Sequence, residues 1–498
     1  DDTDTFIPID GYEKLWRDLI LNYQNEHKRD LETRRKASPP QSPGDYLGDT
    51  PGKTAWSRHI DPGLEDGVLR EGTLCYVELD RNNSHRITAL FPVSISRRLY
   101  AASPEKLLEK SVKPAGHEDN LSPADRVFGW ASQEGKGAYR GNLRIGPAML
   151  PPPGSLTNFE GRGLPLAILS QPKPQQSRFY VARTKEKGEK QEDGLRKSEV
   201  AYVPSKGLRG RKVYPHHAGA TAAEGYWAKP MEDRTQQGIS TENGTFFQEY
   251  RQPHEGYPDN DKIQFDKNSD ATQFKIQNDS DHEQRNDQNR SILSWVEPGT
   301  RFNFEIDVTN LSDVELGALL WLLDLNAGQD GPPRLFHRLG GGKPLGFGSV
   351  SLNVNWDRTH LSRGSAWEEF YSSFDSEAPR RDMNDAGKHC IELFQDAVAK
   401  TYREADFNQV PFIRAFLVCA EGFSAPIHYP RARPKPDQWA EGAALPPHPA
   451  GEAYEWFKTN EQLLDKKPRY AFCLPDLVTR QGLPILDIED KEQRGRKQ

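Results

Sequence analysis

Apolar and polar residues alternate from Phe302 to Val308, where Phe302, Phe304, Ile306 and Val308 are separated by Asn303, Glu305 and Asp307. A two-residue period places one set on one face of an extended segment, so the pattern predicts a half-buried strand. The period then lengthens. Leu316, Leu319, Leu320 and Leu323 recur at helical spacing, and Ser312 stands three residues before Glu315, the spacing of a capping box. A helix should start just after Ser312 and pack its leucine face on the sheet. Val350, Leu352, Val354 and Trp356 resume the two-residue period. Between helix and returning strand lies His337-Arg338-Leu339-Gly340-Gly341-Gly342-Lys343-Pro344-Leu345-Gly346-Phe347-Gly348. Strand, capped helix, glycine-rich loop and strand make half of a ferredoxin-like unit.

Elsewhere the pattern is coarser. Leu15, Trp16, Leu19 and Ile20 predict a helix, and Pro39, Pro40, Pro43 and Pro51 a polar connector after it. Leu74 and Tyr76, with the run Ile87, Ala89 and Phe91, predict a hairpin around Asp80 to Arg86. Pro151 to Gly154 marks a connection, after which Leu164 to Leu169 and Phe179 to Val181 read as extended and Pro172 to Gln176 as a turn. Residues 218–290 are polar and read as a large insertion that retains a strand at Gln273 to Ile276. Trp367, Phe370, Tyr371 and Phe374, then Ile391, Phe394, Val398 and Tyr402, have helical spacing and predict a helical layer. Arg431 to Pro434 reads as a basic turn, Tyr454 to Phe457 as a packing or subunit-contact element, and the polar tail from Asp487 as a fraying end.

Composition narrows the function classes. The chain has 498 residues, 28% of them charged, and a mean hydropathy of -0.83, so two or three polar globular domains are expected. A formal charge of -7 argues against coating nucleic acid by gross basicity, which leaves local patches or shared neutralisation by neighbouring subunits. No apolar run suggests a membrane span, and the default location is cytoplasmic. Cys75, Cys390, Cys419 and Cys473 are too widely separated for a zinc-binding pair and read as buried thiols. His216-His217 reads as a surface or RNA-facing pair, not a metal site.

The glycine-rich loop admits two functional readings beside a purely structural turn. Its glycines allow positive φ and close approach of another molecule, and Arg334, Arg338 and Lys343 supply charge for phosphates. A nucleotide-hydrolysing phosphate loop needs glycine where His337 stands and Ser or Thr where Pro344 stands, so that chemistry is excluded. A polyanion contact or another ligand remains. A second basic stretch holds Lys206, Arg209, Arg211 and Lys212 among Gly207 and Gly210, followed by Tyr214, and is a second RNA-contact candidate. Arg97-Arg98 beside Tyr100, and Arg126, Arg140 and Arg144, are weaker candidates, because charged residues at turns and strand ends are usually solvated. By contrast, Lys185, Lys187 and Lys190 alternate with acids and read as a solvated loop.

Ser312 to Trp321 (SDVELGALLW) and His337 to Val350 (HRLGGGKPLGFGSV) resemble the helix and C-terminal glycine-rich loop of the repeat-associated RNA-binding superfamily of CRISPR effector complexes, the RAMP proteins. Phe6 to Ile9, Asp125 to Gly129, Leu169 to Tyr180, Leu208 to Pro215 and Tyr454 to Phe457 add scattered similarity. The resemblance implies an α+β fold of tandem ferredoxin-like, RRM-like modules with large insertions and a helical C-terminal layer. It divides the chain into a partial first module at 1–150, a second at 151–360 with the loop 337–348, and a helical extension at 361–498. Such families carry a segment preceding Phe6 that completes the first fold and holds the catalytic aspartates of target-cleaving members. Its absence here leads to the expectation of a module without that catalytic part.

The function implied is a backbone-type subunit of a type III CRISPR ribonucleoprotein, with guide RNA, complementary target RNA and other effector subunits as partners and no cofactor. Arg338 and Lys343 would position phosphates, Gly340, Gly341 and Gly342 would allow close approach, and Arg209, Arg211 and Lys212 would continue the path. Two alternatives stay open. In an endoribonuclease, His337 would transfer protons and Arg338 or Lys343 would stabilise the phosphorane, with Asp307, Glu315, Asp324 or Asp125 as weaker acids. In a structural adaptor, the acidic balance and aromatic C-terminal segment would serve protein contacts alone.

Overall fold

The computed structural model describes most of residues 11–36, 59–92, 100–222, 225–227, 238–250, 290–374, 383–434 and 452–488, with short strands at 263–265 and 274–276. Phe6 to Ile9, the prolines from Pro39 to Pro51, Arg97-Arg98, Pro151 to Gly154, Arg211, Arg431 and residues 278–289 lie outside the described residues. The fold is mixed α+β, built from helices and several small, mostly antiparallel sheets. It forms two compact units, Asp1–Ser103 and Pro104–Gln498.

In the first unit, α1 (Glu13–Arg35) lies on the hairpin of β1 (Cys75–Leu79) and β2 (Ile87–Pro92). The hairpin pairs Cys75 with Pro92 and Leu79 with Ile87, and the Asp80 amide donates to the Arg86 carbonyl at its turn. Trp16 and Ile20 of α1 bury against Ile87 and Leu90 of β2. Burial of such side chains contributes about 1.5–3 kcal/mol each, which fixes helix to hairpin.

In the second unit, α2 (Pro123–Phe128) is capped by a reciprocal Ser122–Asp125 box, so Asp125 is a capping residue. A long two-stranded ribbon follows. Its ascending strand holds β3 (Leu143–Ile145), β4 (Leu156–Asn158) and β5 (Leu164–Pro165); its descending strand holds β6 (Ser291–Ile292), β7 (Ser294–Val296) and β8 (Ile306–Val308). The pairs are β3 with β8, β4 with β7 and β5 with β6, and a Met149–Asn303 bridge joins two of these segments. The residues between the strands, 167–289, therefore emerge from one end of the ribbon. At that end lies a core of Phe159, Leu164, Leu166, Tyr226, Phe246, Tyr250 and Leu345.

From the opposite end the chain enters α3 (Asp313–Leu323) through a Ser312–Glu315 capping box, at the position the sequence predicts. The expected packing partner is corrected: α3 lies along α5 (Met383–Tyr402), not on the ribbon as its main contact. Close approach is possible because residue 317 is glycine, whose missing Cβ makes room for the Cys390 carbonyl. Trp321 then packs among Phe394, Phe407 and Phe416, the last on α6 (Pro411–Glu421). With α3 turned to the helical layer, the apolar ribbon face is left partly open among the described residues. Phe302 is 42% and Phe304 37% exposed.

Three other expectations change. The returning strand is only Ser349–Val350, paired with His337–Arg338, and Trp356 begins a 3-10 turn. Phe179 and Tyr180 sit in a short helix, Ser177–Tyr180, held by the buried Arg178. Ala432–Pro434 is a strand parallel to Leu486–Ile488, which corrects the basic turn, while residues 489–498 of the polar tail lie outside the described residues. The helices α4 (Gly364–Ser372) and α5 and the strand Phe274–Ile276 fall where the spacing puts them. Among the described residues no helix is long and apolar enough to cross a membrane.

Candidate functional site

The glycine-rich loop closes on itself through its two short strands. Leu339 donates to the Gly348 carbonyl at 2.7 Å, and a 3-10 turn over Lys343–Leu345 folds the loop back. Gly348 has φ of 76°, and a Cβ there would overlap the Leu339 carbonyl, so the closure requires glycine. Leu345 and Pro344 are buried while Gly340 and Gly341 stay exposed, which leaves the apex in solvent.

Arg338 is the loop's internal brace. Its guanidinium donates to the Lys343 carbonyl at 2.8 Å, to the Gly346 carbonyl at 3.4 Å and to Ser349 Oγ. All three acceptors are neutral, and Nε is buried without a hydrogen-bond partner. A buried cation lacking a bonded carboxylate is costly, and burial pushes the guanidinium down to about 10. The loop interior is thus electropositive. The amides of Gly340, Gly341 and Gly342 donate to no acceptor among the described residues. Free amides at an exposed loop apex, with a cation lacking a carboxylate in the same loop, are the groups that accept an anion, and Lys343 adds a partly exposed charge.

The structure corrects the histidine pair. His216 and His217 are buried, 4% and 7% exposed, not surface residues. His216 Nδ1 lies 2.7 Å from Ser349 Oγ, its ring lies against Phe336, and its amide donates to the Cys419 carbonyl. A Cβ on Gly346 would stand 3.2 Å from His217 Nδ1. Burial, with Arg338 adding to it, lowers His216 to about 4 and His217 to about 3, so both rings are neutral at pH 7. Arg338 can only donate, so Ser349 Oγ accepts from it and can donate its own O–H to neutral His216 Nδ1. Cys419 Sγ donates to the Tyr214 carbonyl, and burial raises that thiol to about 11. The fold therefore joins Tyr214 to His217 with the glycine-rich loop, although more than a hundred residues separate them.

The second basic stretch is mostly spent internally. Arg209 donates to the Leu474 and Pro475 carbonyls and pairs with Asp476 at 2.5 Å; its side chain is 10% exposed. Lys206 donates to Gln191 Oε1 at 2.5 Å and to the Glu199 carbonyl. Lys212 is exposed and stands 5.2 Å from the Tyr214 ring centre. Of the described cations in the stretch, Lys212 is the one turned toward solvent.

The candidate acid–base groups are also placed. His337 Nε2 lies 2.7 Å from the Leu322 carbonyl, tying the ring to the last turn of α3, and burial lowers its pKa. Glu315 caps α3 and pairs with Arg126 at 2.7 Å; burial raises its carboxyl, but the Ser312 bonds and Arg126 outweigh that and leave it below its usual value. Asp307 is exposed on the ribbon, opposite Arg144 in the register. Among the described residues no group of three or more His, Cys, Asp or Glu side chains is placed to hold a metal ion. Sequence reading missed Ser349 and misplaced His216; the only available signal was a polar pair too close to an aromatic and a glycine to be assigned a side.

Compared with known proteins, the chain matches no family model and no curated sequence at a significant level.

Proposed function

We propose that this chain is an RNA-binding, backbone-type RAMP subunit of a CRISPR effector ribonucleoprotein, built on ferredoxin-like modules. It holds guide RNA through phosphate contacts while base pairing reads the target. The observation that supports this reading is the half-buried Arg338, bonded only to neutral acceptors, in the same loop as the amides of Gly340 to Gly342, which donate to no acceptor among the described residues. A phosphate at the apex supplies the negative charge that the loop interior lacks, and backbone amides accept it without reading sequence. Lys343 makes the exposed ionic contact, and Lys212 beside Tyr214 extends the surface. With His337 tied to the end of α3, the loop's chemistry favours holding RNA over cutting it.

The test uses Lys343→Ala, which leaves the Arg338 brace intact because Arg338 bonds the residue-343 carbonyl. Binding of a single-stranded guide-length RNA by fluorescence anisotropy should weaken across unrelated sequences. The slope of log K against log salt should fall by about 0.7, one phosphate contact on a single strand. Unchanged affinity and slope would remove the loop from the RNA path.

A further inference from the structure

We infer that residues 474–480 form an autoinhibitory strap, which holds Arg209 with a carboxylate and two carbonyls until an RNA phosphate displaces it. The inference rests on the RNA-binding reading and adds a regulated cation to the same path.

Three observations converge on the strap. The first is what Arg209 grips. Its guanidinium donates to the carbonyls of two successive residues, Leu474 and Pro475, and to the carboxylate of the next, Asp476, at 2.5 Å. Two carbonyls and a carboxylate in a row offer the guanidinium oxygens along one strand, as a phosphodiester chain does. The match is incomplete. Asp476 engages Nη2 through Oδ1 alone, and Arg209 Nε is buried without a hydrogen-bond partner. A phosphate that takes Nε and Nη2 together would use the fork that the carboxylate leaves half used.

The second is how the strap is held. Cys473 and Leu486 are buried, and none of residues 474–485 between them is. Leu474 is 40% and Val478 43% exposed, so apolar burial does little to keep the segment down. Polar contacts hold it instead. Asp476 is latched to Arg209 at one end, and Arg480 at the other donates to Glu421 and to the Gly422 carbonyl. The Arg480–Glu421 pair is half exposed, and such pairs contribute little. Arg480 also has φ of 53°, in the left-handed region, so lifting the strap relieves backbone strain. A segment held by polar contacts and strained in its backbone opens locally without unfolding its surroundings.

The third is where the strap is anchored. Its 3-10 turn, Leu477–Thr479, packs on α6, and the end of α6 meets the histidine pair. The Cys419 carbonyl accepts from the His216 amide, and a Cβ on Gly422 would overlap the His216 carbonyl. Arg209 belongs to the stretch that holds Lys212 and leads into Tyr214 to His217. One latch is therefore on the second basic stretch, and the other on the helix that contacts the histidines behind the glycine-rich loop. When the strap lifts, Arg209 joins Lys212 as a cation that phosphates reach.

Hydrogen–deuterium exchange of the full wild-type chain, with and without a single-stranded guide-length RNA at low salt, tests this. RNA should slow exchange in residues 337–348 and speed it at Thr479 and Arg480, whose amides are bonded within the closed strap. Fluorescence anisotropy of the same RNA on variants gives a second measurement. Asp476→Asn should bind at least about threefold tighter, the strength of a partly exposed ion pair, with a salt slope steeper by about 0.7 for one more phosphate contact. Adding Arg209→Gln to that variant should abolish the increase, because the released guanidinium is its source. Strap exchange unchanged or slowed by RNA, with 337–348 protected, would overturn the strap and leave the RNA reading standing. Faster strap exchange without protection of 337–348 would support the strap and remove the loop from the RNA path. No change in either segment would overturn both. A folded Asp476→Asn chain that binds no tighter, or an increase that survives Arg209→Gln, would also overturn the strap. The wild-type exchange decides the question if the variants misfold, as judged by circular dichroism.

Discussion

Ser349 Oγ lies 2.7 Å from His216 Nδ1 and also accepts from Arg338, so one hydroxyl couples the brace of the glycine-rich loop to a histidine 133 residues away. Ser349→Ala removes one acceptor of a half-buried guanidinium and the partner of a buried ring. The expected loss is about 1–3 kcal/mol, the cost of leaving buried polar groups unsatisfied. Urea unfolding with an unchanged midpoint would show that the hydroxyl carries no such coupling.

The histidine pair makes stability depend on pH. His216 and His217 have folded values of about 4 and 3, below the ordinary 6.5. The unfolded chain binds protons there first, so their contribution is complete above about pH 6.5 and is lost as pH falls toward 4. The melting temperature should decline across that window. His216→Gln with His217→Asn should flatten the decline between pH 6.5 and 4.5, and an equal slope in both proteins would place the acid sensitivity elsewhere.

Arg178 is 1% exposed and grips Glu461 through Nε at 2.8 Å and Nη2 at 3.0 Å, with a further bond to the Ala471 carbonyl. It bolts the 177–209 region to the C-terminal segment. Arg178→Ala strands a carboxylate and should cost about 3–5 kcal/mol, whereas replacing both partners by apolar residues should cost far less. Chemical denaturation of the single and double variants separates these outcomes; equal losses would contradict the role of the stranded charge.

Two glycines should behave oppositely. Gly317→Ala drives a methyl into the Cys390 carbonyl between α3 and α5 and should cost about 1–3 kcal/mol, while a Cβ at Gly341 meets nothing within 4 Å. Thermal unfolding should therefore drop for the first and hold for Gly341→Ala. A melting temperature unmoved by Gly317→Ala would mean the two helices do not pack as closely as described.

Local structure was legible wherever one segment contained its own determinants. The Ser312–Glu315 box, the leucines after it, the hairpin around Asp80 to Arg86 and the aromatic helix at 364–372 follow from spacing alone, because capping, periodicity and turn closure involve neighbours in sequence. The alternation from Phe302 to Val308 was equally plain in the sequence. Its covering was not, because periodicity says which residues share a face and nothing about what lies against it. Only the tertiary structure decided that α3 turns its small residue, Gly317, to another helix and leaves Phe302 and Phe304 exposed. The candidate site divides the same way. Composition marks the loop as glycine-rich and cationic, but whether an arginine reaches outward or folds back depends on distant acceptors. Arg209 finds Asp476, and Arg338 finds the carbonyls of its own loop and Ser349 beside His216. Side-chain charge is written in the sequence, and the partner that spends it or leaves it free is set by contacts between segments far apart in the chain.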